Sequence, residues 1–140
     1  MSSADSEVAG ASNNSSANNK RALILVVERN PAVERLERYF LEQTGFTVEF
    51  ANDGTSALKR TLELQPRILI TEILVPELDG LSLCRQIKSN PSTSRTLVLI
   101  FSHLHADDRA FEAGADAFLM KPFAEETLIE AVKNLLQLND

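Results

Sequence analysis

"RILITEILVPELDG", residues 67–80, decides the fold of this chain. Its first half is a branched apolar run, Ile68 to Ile70, that closes on Thr71 and a lone carboxylate, Glu72. A continuous run of this kind, without strict alternation, predicts a strand buried on both faces of a parallel sheet. Its second half is a polar turn, and a helix begins near Gly80. The turn places Glu72 where a buried strand meets solvent.

Working outward, the same signal recurs in "ALILVV" (22–27), "FTVEFA" (46–51), "TLVLIFS" (96–102) and "DAFLM" (116–120). Amphipathic stretches separate the runs. Asn30 predicts the cap of the first helix, with Pro31 in its first turn and Gly45 beyond its end. Val33, Leu36 and Phe40 are its expected inward stripe. Asp53 starts the second helix, lined on one side by Ala57, Leu58, Thr61 and Leu64. The third stops at "SNP" (89–91), because proline disfavours helix at the residue before it. A short fourth ends at Gly114, and the last carries Leu128, Val132, Leu135 and Leu136 on one face.

Strands alternating with helices predict a right-handed, doubly wound (βα)5 three-layer sandwich on a five-stranded parallel sheet, an α/β fold. Such sheets work at the carboxyl ends of their strands, near the topological switch point. Glu28 and Arg29 end the first strand, Glu72 the third and Ser102 the fourth, while Lys121 follows the fifth. These polar side chains are expected on one rim.

The totals set outer bounds. At 140 residues and 44% hydrophobic content, one globular domain over 21–140 is expected. Residues 1–20, rich in Ser, Asn and Ala, have too little to bury and predict a disordered tail. The net charge of −6 disfavours nucleic acid as a partner. No apolar run reaches membrane-spanning length, and no signal-peptide pattern opens the chain, so a cytoplasmic location is expected. The single cysteine, Cys84, cannot form an internal disulfide, and its place in "LSLCRQIK" (81–88) reads as buried packing.

"LILVVERNPAVERLERYFLEQTGF", "ILITEILVPELDGLSLCRQIK" and "GADAFLMKPF" together resemble a response-regulator receiver domain, the phospho-accepting module of two-component signalling. The resemblance spans about residues 21–138 and implies a flavodoxin-like fold. It also implies a chemistry. Two acids after the first strand hold Mg²⁺, an aspartate after the third attacks phosphorus, and a hydroxyl and a lysine bind the phosphoryl oxygens. Carried onto this chain, the acid pair falls at Glu28 and Arg29, the nucleophile at Glu72, the hydroxyl at Ser102 and the ammonium at Lys121. The aromatic switch position falls at Phe118, and Lys121-Pro122 at the family's usual cis peptide.

The pocket departs from that pattern where metal and nucleophile should be. Mg²⁺ demands oxygen ligands in near-octahedral geometry, and a guanidinium has no lone pair to give. Glu28 is then the only remaining candidate ligand, and Mg²⁺ binding is expected to be lost. Glu28 and Glu72 balance Arg29 and Lys121, so the pocket is expected to supply its own counter-ion at Arg29. At ~4 Å and an effective dielectric of about 20, each such pair attracts by roughly 4 kcal/mol before desolvation. The extra methylene of Glu72 moves its carboxylate off the in-line position that phosphoryl transfer needs. A permanent salt bridge from Glu72 toward Lys121 and Ser102 is expected instead. No catalytic residue is expected.

These readings favour a phosphorylation-independent pseudo-receiver that acts through protein contact, with a histidine kinase or an output protein as partner. The face made by the fourth helix, fifth strand and fifth helix is the family's usual surface for dimers. The stretch from Ser102 to Gly114 is about a turn shorter than usual, which predicts an altered output surface and a groove beside Phe118 and the last helix. One alternative is a working receiver with a rearranged Mg²⁺ site. Another is a small-molecule or metal sensor that reuses the strand-end pocket. "SHLHADD" (102–108) carries His103 and His105 at chelating spacing, but the chain has no further histidines to complete a zinc set. Asp107 or Asp108 is expected to cap the short helix there, and Phe111 and Phe123 to pack in the core or at its edge rather than serve as partner contacts. The chain is read either as a stand-alone adaptor or as a receiver cut from something longer.

Overall fold

The structure is a computed structural model that describes residues 22–138; the predicted tail lies outside the described residues. Five strands alternate with five helices: β1 (Leu23–Val27), α1 (Pro31–Gln43), β2 (Thr47–Ala51), α2 (Gly54–Leu64), β3 (Ile68–Glu72), α3 (Gly80–Ser89), β4 (Leu97–Ser102), α4 (Asp107–Glu112), β5 (Ala117–Met120) and α5 (Glu125–Leu138). All strand pairs are parallel, in the order β2-β1-β3-β4-β5. The chain reverses direction across the sheet between β1 and β3, which is the predicted switch point.

Two apolar layers sandwich the sheet. Leu25, Leu69, Val98 and Ile100 face Ala57 of α2, Leu83 and Ile87 of α3, and Ala110 of α4. Ile24, Val26, Ile70 and Leu99 face Leu41 of α1 and Leu128, Val132 and Leu136 of α5. Strands covered on both sides this way must be apolar at successive positions, which explains their unbroken runs. Cys84 is fully buried, and burial pushes its thiol up to about 11, so it packs as a small apolar residue.

The helix starts follow local chemistry. Asn30 Oδ1 accepts from the N–H of Ala32 at 2.9 Å, with Pro31 as the first helical residue. Asp53 accepts from Ser56 and Asp79 from Leu81, each capping its helix. Two expectations fail. Leu36 is 46% exposed, while Glu37 and Leu41 are the buried residues of α1. Asn30 and Pro31 fix the phase of the helix, and that phase turns Val33, Glu37 and Leu41 inward at four-residue spacing. The N-cap position of α4 is held by Ala106, which has no polar side chain to cap with, and Asp107 and Asp108 instead occupy its first turn, where the helix dipole favours acids.

Candidate functional site

The carboxyl ends of the strands bring the predicted rim together through backbone pairing. Glu72 lies opposite Phe101 and Ser102 opposite Met120 in the sheet register. The Lys121 N–H donates to Ser102 O at 2.8 Å, and the Glu28 N–H to Ala51 O at 2.9 Å. Lys121-Pro122 is cis, as the resemblance implied. The turn after β3 is packed against the rim. A Cβ on Gly80 would run into the carbonyl oxygen of Glu72, and one on Gly54 into that of Leu78. Only glycine lets these two helix starts approach so closely. Glu77, in the same turn, holds a left-handed φ of 72°.

The side chains do not form the expected ion-paired pocket. Glu28 Oε2 accepts from the backbone N–H groups of Arg29 (3.1 Å) and Asn30 (3.0 Å), so its carboxylate ties down the loop that follows β1. Arg29 is exposed and lines a hollow of about 380 Å³ with Asn52, Asp53, Pro76 and Glu77. Among the described residues it forms no ion pair, which corrects the expected counter-ion role. A charge in water gains only about 1 kcal/mol from a neighbour at ~4 Å, too little to offset the entropy of fixing a long side chain.

Glu72 is half-buried, and its carboxylate makes no hydrogen bond or ion pair among the described residues. The salt bridge expected toward Lys121 and Ser102 is therefore absent. Ser102, 1% exposed, accepts through Oγ from the N–H of Leu104 at 3.0 Å, closing the next turn. Lys121 Nζ lies 4.4 Å from the ring centroid of Phe101, and that ring stacks edge-on against Phe123 at 5.9 Å. The ammonium has found the negative face of an aromatic ring, an attraction worth ~0.5–2 kcal/mol.

The charged runs "ERLERY" (34–39) and "EETLIEAVK" (125–133) read in the sequence as outward, solvated helical faces, and Glu37 and the half-buried Glu125 correct that reading. Glu37 is only 5% exposed, and its carboxyl is pushed up to about 7. Burial is the main cause, Glu28 and Glu125 add to it, and Lys121 opposes it. Glu125, at the first turn of α5, is raised chiefly by burial and then by Glu126, again opposed by Lys121. The signal for Glu37 was present. It sits midway between Val33 and Leu41 at the spacing of an inward stripe.

Away from the rim, Phe118 is half-buried against the α2–α3–α4 layer. It borders a hollow of about 340 Å³ lined by His105, Asp107, Phe111 and Met120. No α5 residue lines that hollow, so the groove expected beside the last helix sits beside α4 instead. Phe111 is 51% exposed, whereas Phe123 is half-buried. His103 and His105 are exposed, and no group of His, Cys, Asp or Glu suited to a metal ion occurs among the described residues. No helix among them is long and apolar enough to cross a membrane.

Comparison with known proteins places this geometry. The family model for the response regulator receiver domain matches residues 24–133. Response regulator MprA of Mycobacterium leprae is 38% identical over 115 residues, covering 81% of this chain and 50% of that protein. The DNA-binding dual master transcriptional regulator RpaA of Synechocystis is 31% identical over 120 residues, 84% of this chain and 50% of that protein. The chain thus spans about half the length of the curated relatives it matches. The crystal structure of the receiver domain of a signal transduction histidine kinase from Syntrophus aciditrophicus aligns with a TM-score of 0.77 at 33% identity, covering 83% of this chain and 90% of that one. Sheet order, strand-end rim and sequence agree: the chain belongs to the response regulator receiver domain family, a module of two-component signalling.

Proposed function

We propose that this receiver domain signals through protein–protein contact without taking up phosphate at position 72 and without resident Mg²⁺. One observation carries the reading: where the chemistry needs adjacent acids, Glu28 spends its carboxylate on two backbone N–H groups and Arg29 points to solvent. That donor set does not fit Mg²⁺. An arginine offers no lone pair, and recruiting Glu28 would cost it two charge-assisted hydrogen bonds. Without a metal, a glutamate one methylene too long has neither the placement nor the charge stabilisation for phosphoryl transfer. The partner is a cytoplasmic kinase or output protein, and the hollow at Phe118 and Phe111 is the proposed contact face, including for a second copy of the chain. Titration with Mg²⁺ followed by amide NMR tests the metal half. Resonances of residues 28, 29 and 72 stay fixed on this account, and saturable shifts there contradict it.

A second reading, a working phospho-acceptor, is favoured by one fact: the Lys121 N–H to Ser102 O bond joins the hydroxyl and lysine positions at the rim, and Lys121 forms no ion pair among the described residues, so both groups of the oxygen-binding half are present. The two readings separate on whether Mg²⁺ and a small-molecule phosphodonor label the chain.

A further inference from the structure

Glu37 is the only charged residue among the described residues that is buried. Its Oε1 has no hydrogen-bond partner among the described residues, and neither has Oε1 of Glu125 on α5, the helix that packs against α1. Buried carboxylate oxygens without donors are costly and call for a cation or a proton. The cation that both carboxyls sense is Lys121, which opposes the upward shift of each. Among the described residues Lys121 has no carboxylate partner, and it rests on Phe101. Phe101 and the Phe123 ring against it lie on the α1–α5 side of the sheet, where Phe123 joins the apolar layer.

We propose that Glu37 and Glu125 form a second anionic seat for Lys121, one that competes with Glu72 and keeps the ammonium over Phe101. The charges facing Glu37 are Glu28 from the end of β1, Glu125 from α5 and Lys121 from the β5–α5 loop. Burial, reinforced by two acids against one base, holds the proton on Glu37 into the neutral range. The seat strengthens as that proton leaves and weakens as it returns. Lys121 is in this way a two-position cation: seated when Glu37 is ionised, and released toward Glu72 and Ser102 when Glu37 is protonated. The inference is independent of whether Glu72 accepts phosphate, since it concerns only where the ammonium rests.

The ring current of Phe101 supplies the test. The Lys121 ε-methylene protons of the native chain, followed by NMR at pH about 8, are expected upfield of an exposed lysine. They should move downfield as pH falls through about 7. In an E37Q/E125Q chain they should sit near the exposed-lysine position at every pH, while Glu72→Gln leaves them upfield. Unchanged shifts in E37Q/E125Q would mean that the ring alone holds the lysine, and the proposal fails. It fails equally if Glu72→Gln displaces them. Should E37Q/E125Q not fold, as judged from its amide spectrum, the native titration decides, and a flat profile overturns the seat. Intact mass after phosphodonor treatment reads the state of Glu72 separately.

Discussion

Lys121 faces the ring of Phe101 at 4.4 Å and has no carboxylate within 4 Å among the described residues, although Glu72 ends the strand next but one on the same rim. The choice has a measurable consequence. Removing one partner of a buried ion pair costs about 3–5 kcal/mol, whereas losing a partly exposed cation–π contact costs about 0.5–1 kcal/mol. Lys121→Met is therefore expected to lower unfolding stability by less than about 1 kcal/mol in urea titrations. A loss above about 3 kcal/mol would reinstate the salt bridge.

Glu37 makes stability depend on pH in a stated direction. Its folded carboxyl lies at about 7 against an ordinary 4.5, so the fold favours the protonated acid. That contribution is full below about 4.5 and is lost as pH rises through about 7, a change on the order of 3 kcal/mol. Glu37→Leu is expected to flatten this dependence and to exceed the native chain in stability at pH about 8, because it removes a carboxylate whose ionisation burial opposes. Urea midpoints compared at pH about 6 and 8 check it. Parallel native and variant profiles would show that Glu37 stays ionised.

Gly80 couples the third helix to the rim. A methyl group there would press on the carbonyl oxygen of Glu72, and the Gly80 N–H bond to Ile73 O (2.8 Å) leaves the turn little room to yield. Gly80→Ala is expected to destabilise the domain by about 1–3 kcal/mol and to shift the amides of Glu72 and Ile73. An unchanged spectrum would mean that the turn relaxes freely.

Much of this fold was legible because buried parallel strands announce themselves as apolar runs and helices as capped, periodic segments. Asn30, Asp53 and the Leu128–Val132–Leu136 face read as they stand in the structure. The rim was legible in position but not in pairing. Strand ends fix where Glu72, Ser102 and Lys121 emerge, while the last ångströms of flexible side chains depend on what else is nearby. Phe101 comes from a neighbouring strand, and Glu37 comes from a helix whose inward phase carries an acid. A pattern of apolar residues alone passes over such an acid and promotes Leu36 in its place.

If the altered rim is what silences the chemistry, restoring the acids should return it. The Arg29→Asp/Glu72→Asp chain keeps Ser102 and Lys121 and regains a family-like donor set. It is expected to take up phosphate from acetyl phosphate in a Mg²⁺-dependent way, read by intact mass. Arg29→Ala alone, at an exposed position, should change stability by less than about 0.5 kcal/mol and leave the chain unlabelled. Failure of the double variant to label would place the block elsewhere than positions 29 and 72.

The central claim is that position 72 does not carry phosphate. Incubating the native chain with acetyl phosphate and Mg²⁺, then weighing it intact, tests that most directly. The account predicts an unchanged mass; one added phosphoryl group, mapped to Glu72, would contradict it.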